Sequence, residues 1–188
     1  MVKPIGPVCN LHCDYCYYLN KDELYPGTRD FRMSYELLEE FTQQYIKYQP
    51  GPVVPFCWQG GEPTLLGLDF FRRAIEVQEK FLPPGWHITN SLQTNGTLLT
   101  GEWCEFLREN NFLVGLSLDG PADLHNLYRH TKNGSQTFSQ VMSGLHLLQK
   151  HKVEYNVLCV VSKANVQHPV ELYRFFRENG VKYIQFIP

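Results

Sequence analysis

Three cysteines near the amino terminus, Cys9, Cys13 and Cys16 in "CNLHCDYC", are separated by three and then two residues. In a reducing compartment, thiols set this closely bind metal or do chemistry more often than they form disulfides. The ligand count narrows the metal. A structural zinc site takes four protein ligands. His12 or Asp14 would complete one only with unusual local geometry, and no second CxxC follows. A cubane [4Fe–4S] cluster commonly takes four cysteines. Held by three, it leaves one iron open to a ligand that is not protein, which turns an electron carrier into a catalyst. A redox thiol pair and purely structural cysteines are the weaker alternatives.

Such a loop needs a scaffold. Short apolar runs rich in β-formers occur at "VVPFCW" (53–58), "WHITNSLQ" (86–93), "FLVGLSL" (112–118), "EYNVLCVVS" (154–162) and "KYIQFIP" (182–188), with "VKPI" as a weaker first strand interrupted by Pro4. Most are apolar on both faces, as expected of buried parallel strands. Helical stripes lie between them. Ser34 caps one that carries Leu37, Leu38, Phe41 and Tyr45. Phe71 and Ile75 mark a second, and Trp103, Phe106 and Leu107 a third behind Thr100. A fourth runs from Phe138 to Leu148, and a fifth from Pro169 to a stop at Gly180. Roughly 25–35 residues separate successive strands, which suits right-handed βαβ crossovers. An open doubly wound sheet and a partial barrel both fit, and both gather chemistry at the carboxyl ends of their strands.

Those ends are polar or glycine-rich: the cysteine loop, "QGGEPT", "QTNGT", "SLDGP" followed by "HNLYRH", and "VVSKAN". Any one of them alone reads as a turn. Five together beside a cysteine cluster read as a site.

Composition limits the partners. The chain has 188 residues, is 43% hydrophobic and carries a net charge of −2. These values predict one globular domain without a nucleic-acid-binding stripe. No apolar run reaches the length of a membrane span, and "MVKPIGPVC" has no signal-peptide core. A cytoplasmic location without membrane attachment is expected.

With these residues in view, the chain resembles the radical S-adenosylmethionine enzymes. "CNLHCDYC" is similar to their CxxxCxxC loop and "QGGEPTL" to their GGEP motif. "SLQTNGTLL", "FLVGLSLDGP", "HNLYR" and "YNVLCVV" resemble one branch, the anaerobic sulfatase-maturating enzymes. The resemblance implies an α/β fold, a partial (β/α)6 TIM-like barrel of parallel strands with helices outside. Residues 1–188 would be the radical core domain, truncated after the sixth strand, without the family's C-terminal auxiliary-cluster domain. It implies a [4Fe–4S] cluster on Cys9, Cys13 and Cys16, with S-adenosylmethionine as the open iron's ligand and source of a 5′-deoxyadenosyl radical. The implied reaction is anaerobic oxidation of a sulfatase Cys or Ser to formylglycine. A reduced flavodoxin or ferredoxin-type protein would supply the electron.

The resemblance also assigns residues. Gly60 and Gly61 would admit the methionyl amino group, with Glu62 balancing its charge or bracing the loop. Tyr15 would pack on adenine, and Gln93 and Asn95 would line the pocket floor. Ser117 and Asp119 would contact the cofactor at the end of the fourth strand, "FLVGLSL". Arg129 would pair with the methionyl carboxylate, and Tyr18 would face substrate as the catalytic candidate. Cys57, Cys104 and Cys159 read as small buried hydrophobes. His125 stands out only for its nearness to Arg129. Two rival functions remain: a peptide-modifying enzyme that forms thioether or carbon–carbon crosslinks, and a non-catalytic iron–sulfur carrier.

Overall fold

The protein, seen as a computed structural model, is described for residues 1–28 and 30–188. Its strands are β1 (Leu11–Cys13), β2 (Val53–Trp58), β3 (His87–Thr94), β4 (Leu113–Ser117), β5 (Arg129–Thr131), β6 (Tyr155–Val160) and β7 (Ile184–Ile187). Its helices are α1 (Tyr35–Lys47), α2 (Leu68–Phe81), α3 (Gly101–Glu109), α4 (Ala122–His125), α5 (Phe138–Lys150) and α6 (Pro169–Glu178). Five strands form one parallel sheet in the order β2-β3-β4-β6-β7. The architecture is α/β with a partial TIM-like barrel. No helix among the described residues is long and apolar enough to cross a membrane.

The opening strand shrinks to one residue. Val2 bridges Trp58 in parallel, its amide donating to the Cys57 carbonyl at 2.7 Å. Pro4 then removes the next useful donor and fixes its own φ, so the ladder stops. A second departure is the antiparallel pair β1–β5, which stands apart from the main sheet and joins Cys13 to Arg129.

The parallel strands alternate between two environments. Val54, Phe56 and Trp58 on β2 are buried, whereas Val53 is 43% exposed and Cys57 is intermediate. The expectation of strands buried on both faces therefore fails on the concave side. A sheet that curves only part of the way round leaves its inner face open, and the site forms there. On the convex side the core is aromatic. Phe56 packs on Phe41 and Tyr45 of α1, and Trp58 on Phe70 and Phe71 of α2.

Local signals start the helices. The Ser34 hydroxyl accepts from the Leu37 amide at 3.2 Å, and Thr100 from the Trp103 amide at 3.3 Å. Pro169 occupies the first turn of α6, where a missing N–H costs nothing. Leu37 departs from its assignment: it is 51% exposed, because the buried face of α1 runs through Leu38, Thr42 and Ile46.

One polar cluster is sealed into this core. Asn90 Oδ1 accepts from Trp58 Nε1 at 2.8 Å and from Gln78 Nε2 at 3.0 Å, and Asn90 Nδ2 donates to Gln78 Oε1 at 2.9 Å. Asn90→Ala strands these groups without water. Its cost is expected to be on the order of 2–4 kcal/mol, read as a lower urea midpoint with an unchanged m-value.

Candidate functional site

The cysteine loop rests on the turn after β2. The Gly61 amide donates to the Gly6 carbonyl at 2.8 Å, and the Glu62 amide to the Val8 carbonyl at 2.8 Å. A Cβ on Gly61 would lie 1.9 Å from Val8 O. This glycine is therefore required by the protein's own loop. The Cβ side of Gly61 is filled by the Val8 backbone.

Glu62 locks the same turn to the end of β3. It is 1% exposed. Its Oε1 accepts from the Thr64 amide at 3.0 Å, the Thr64 hydroxyl at 2.6 Å and the Thr94 hydroxyl at 2.8 Å. Its Oε2 accepts from the Asn95 amide at 2.7 Å. Burial pushes the carboxyl above its usual range despite these four donors. Of the two roles expected of Glu62, the geometry displays bracing.

Around this contact lies a cavity of about 170 Å³. Cys9, Cys13 and Cys16 line it together with Tyr15 and Tyr18. The strand ends complete it with Gly60, Gly61, Gln93, Asn95, Ser117 and Arg129. Gln93 Nε2 donates to Ser117 Oγ at 3.0 Å across β3 and β4. An outer cavity of about 550 Å³ shares Cys9, Cys16 and Tyr18. The inner space alone is smaller than the ~300 Å³ lower limit of ordinary ligand pockets. A nucleoside-sized ligand needs both.

The other wall is a buried charge network. Arg129 Nη1 donates to Tyr15 Oη at 2.8 Å and sits 3.9 Å from Asp119 Oδ2. The Tyr15 hydroxyl donates to Asp119 Oδ2, while Asp119 Oδ1 accepts from the Val160 amide at 3.0 Å. Asp119 thus stands behind the cavity wall rather than in it. Burial, reinforced by Asp119, keeps Tyr15 protonated. Burial opposes the charge on Arg129, but the Asp119 carboxylate and the hydrogen bond to Tyr15 work against it, and its pKa is raised. Arg129 Nε is buried without a hydrogen-bond partner among the described residues.

Behind this network runs a relay through His125. The Asp119 amide donates to His125 Nδ1 at 3.3 Å, His125 Nε2 lies 3.2 Å from Thr137 Oγ1, and that hydroxyl donates to the Arg129 carbonyl at 2.7 Å. Since the Thr137 proton is committed to Arg129, His125 Nε2 carries a proton and Nδ1 accepts. Burial, then Arg129, lowers the His125 pKa to about 3.

The three thiols suit iron–sulfur ligation. The Leu11 amide donates to Cys9 Sγ at 3.3 Å and the Tyr18 amide to Cys16 Sγ at 3.4 Å. Donors aimed this way stabilise sulfur that carries negative charge and tune a cluster. Burial raises the Cys9 pKa and pushes Cys13 up to about 11. Such thiols hold their protons at neutral pH until a metal displaces them, which argues against a free redox thiolate pair. Cys104 and Cys159 are fully buried and their pKa values rise to about 11 and about 12, while Cys57 is intermediate.

The sequence reading missed the supporting residues. Asn10 Nδ2 donates to Thr97 Oγ1 at 2.9 Å and Asn10 Oδ1 accepts from Asn95 Nδ2 at 2.9 Å. Asn165 Nδ2 donates to the Val160 carbonyl at 2.8 Å. The hydroxyls of "EPT" and "QTNGT" were the available signal for the partners of Glu62. Thr137 left none.

A family model described as the radical SAM superfamily matches residues 4–176. The chain is 52% identical to a serine-type anaerobic sulfatase-maturating enzyme of Bacteroides thetaiotaomicron, over 100% of this chain and 45% of that protein. It is 43% identical to a cysteine-type anaerobic sulfatase-maturating enzyme of Clostridium perfringens, over 100% of this chain and 50% of that protein. A solved structure of native anSMEcpe with bound AdoMet and the Kp18Cys peptide matches with a TM-score of 0.89 at 42% identity, over 98% of this chain and 49% of that one. The chain spans about half the length of the curated relatives it matches.

Two outcomes are expected. Gly61→Ala drives a methyl into Val8, so iron bound on anaerobic reconstitution falls sharply; Gly101→Ala, whose Cβ makes only an ordinary contact with His151 at 3.6 Å, retains it. His125 has its folded pKa below its unfolded value of about 6.5. Its contribution to stability is therefore complete above that pH and is lost as pH falls toward 3. Proton NMR should keep its ring in the neutral form at pH 5, and His125→Gln should flatten the acid decline in stability.

Proposed function

The chain belongs to the radical SAM superfamily, and we propose that it carries the radical-generating site of an anaerobic sulfatase-maturating enzyme. One observation carries the reading most strongly: a three-cysteine loop, the GGE turn and a buried arginine with a spare donor meet at one cavity. The whole range of 1–188 is proposed as the core domain of that enzyme. The reaction is oxidation of a Cys or Ser in a sulfatase polypeptide to formylglycine, and the proposed setting is the cytoplasm, with a reduced flavodoxin or ferredoxin-type donor.

The family's chemistry requires S-adenosylmethionine and an iron–sulfur cluster, here proposed as [4Fe–4S]; when bound, they supply a carbon radical that abstracts hydrogen from substrate. The protein's residues hold and shield these groups. Cys9, Cys13 and Cys16 provide three sulfur ligands. Gly60, Gly61 and Glu62 fix the loop that carries them. The free Nε of Arg129 suits the methionyl carboxylate, and its other contacts, to Tyr15 and Asp119, prevent it from turning away. Gln93, Asn95 and Ser117 offer polar contacts along the strand ends. Tyr18, which lines both cavities, is assigned to the substrate side on that support.

The test uses anaerobically reconstituted protein. AdoMet should change the EPR spectrum of the reduced cluster, and dithionite should yield 5′-deoxyadenosine. A sulfatase-derived Cys or Ser peptide should be converted to an aldehyde that reacts with hydrazine probes. A reduced cluster whose spectrum ignores saturating AdoMet would overturn the reading. Arg129→Ala should weaken AdoMet binding by about 1.5–3 kcal/mol, roughly ten- to a hundred-fold in Kd, measured by equilibrium dialysis at matched iron content.

A further inference from the structure

On the outer face of β1, His12, Asp14 and His130 bring three ligand atoms within 4.8 Å of one another. None belongs to the cysteine set. His12 lies opposite His130 in the antiparallel β1–β5 register, and their rings stack with centroids 5.7 Å apart and planes at 19°. Asp14 Oδ1 lies 2.9 Å from His130 Nε2.

The other ring nitrogen decides how that contact is read. His130 Nδ1 lies 3.1 Å from the Thr131 carbonyl. A carbonyl oxygen only accepts, so Nδ1 carries the ring proton. In the neutral ring, Nε2 then turns a lone pair toward a carboxylate oxygen. The contact therefore needs a cation between the two atoms, either a second proton on Nε2 or a metal ion that takes its place. Histidines that bind metal are commonly held in this way, with the second nitrogen donating to a carbonyl or carboxylate.

We propose that His12, Asp14 and His130 bind a divalent late first-row metal ion, of which zinc is the reference case. Two imidazoles and a carboxylate suit such an ion better than magnesium or calcium, which prefer all-oxygen sites. Three protein ligands leave a fourth position for water. His12 and Asp14 are exposed and His130 is half-buried, so the ion enters from solvent without opening the fold. The ion bridges the two strands that pair Cys13 with Arg129. It thereby ties the cysteine loop to the arginine through the strand pair, outside the inner cavity and at the edge of the outer one, which His12 also lines.

Zinc and iron per chain are counted together after cluster-loaded protein is equilibrated anaerobically with chelator-buffered zinc. One zinc per chain, with iron unchanged, is the expected result. Asp14→Asn and His130→Ala should each weaken zinc at least tenfold while leaving iron content unchanged. Added zinc should raise the melting temperature of the unsubstituted protein but not of either variant. The count is repeated with Cys9→Ser, Cys13→Ser and Cys16→Ser combined, where zinc uptake survives if the site is independent of the cluster. The proposal is overturned if the unsubstituted protein takes up no zinc at saturation, which means that a proton fills the gap. Equal uptake by a His12→Ala, Asp14→Asn, His130→Ala protein also overturns it, because the ion then lies elsewhere.

Discussion

The structure of the site depends on one contact, that of the cysteine loop with the turn after β2. The loop has little regular structure of its own, so its carbonyls need partners from elsewhere. Gly61 and Glu62 supply them from their backbone amides, to Gly6 and Val8. The approach is so close that any side chain on Gly61 is excluded. The next residue then anchors the turn: the Glu62 carboxylate, costly to bury alone, receives four hydrogen bonds from Thr64, Thr94 and Asn95. Loop, turn and third strand become one rigid body, and the three thiols inherit its rigidity.

The loop is gripped from its other side by β5. Cys13 pairs with Arg129 across the short antiparallel ladder, and Arg129 is tied through Tyr15 to Asp119. A buried guanidinium is tolerable only while its partners stay in place. The His125–Thr137 relay holds them by joining the Asp119 amide to the Arg129 carbonyl. Because His125 must stay neutral for Nδ1 to accept, the relay works at neutral pH and resists acid only until that ring is forced to protonate.

Much of the main sheet was legible in advance. "VVPFCW" coincides with β2 residue for residue, because apolar runs between turn signals are what a parallel strand requires. Helix starts at Ser34 and Thr100 were legible because capping is a local hydrogen bond. Leu37 was misplaced because two adjacent leucines satisfy a helical stripe equally well, and only packing decides which turns inward. The pair β1–β5 was invisible: three residues have no periodicity, and their partners lie over a hundred positions apart.

Cysteine spacing, the glycine pair before Glu62 and the polar strand ends determined the class of chemistry, since ligand type and number are properties of the residues themselves. Their meeting at one rim followed from the direction of parallel strands. The tertiary structure alone decided what each residue does there. Gly61 makes room for Val8, Asp119 stands behind Tyr15 rather than in the cavity, and His12 comes to face His130 across two strands. The reason is range: spacing along the chain encodes contacts within a few residues, whereas these depend on where a distant backbone stops and how much space it leaves.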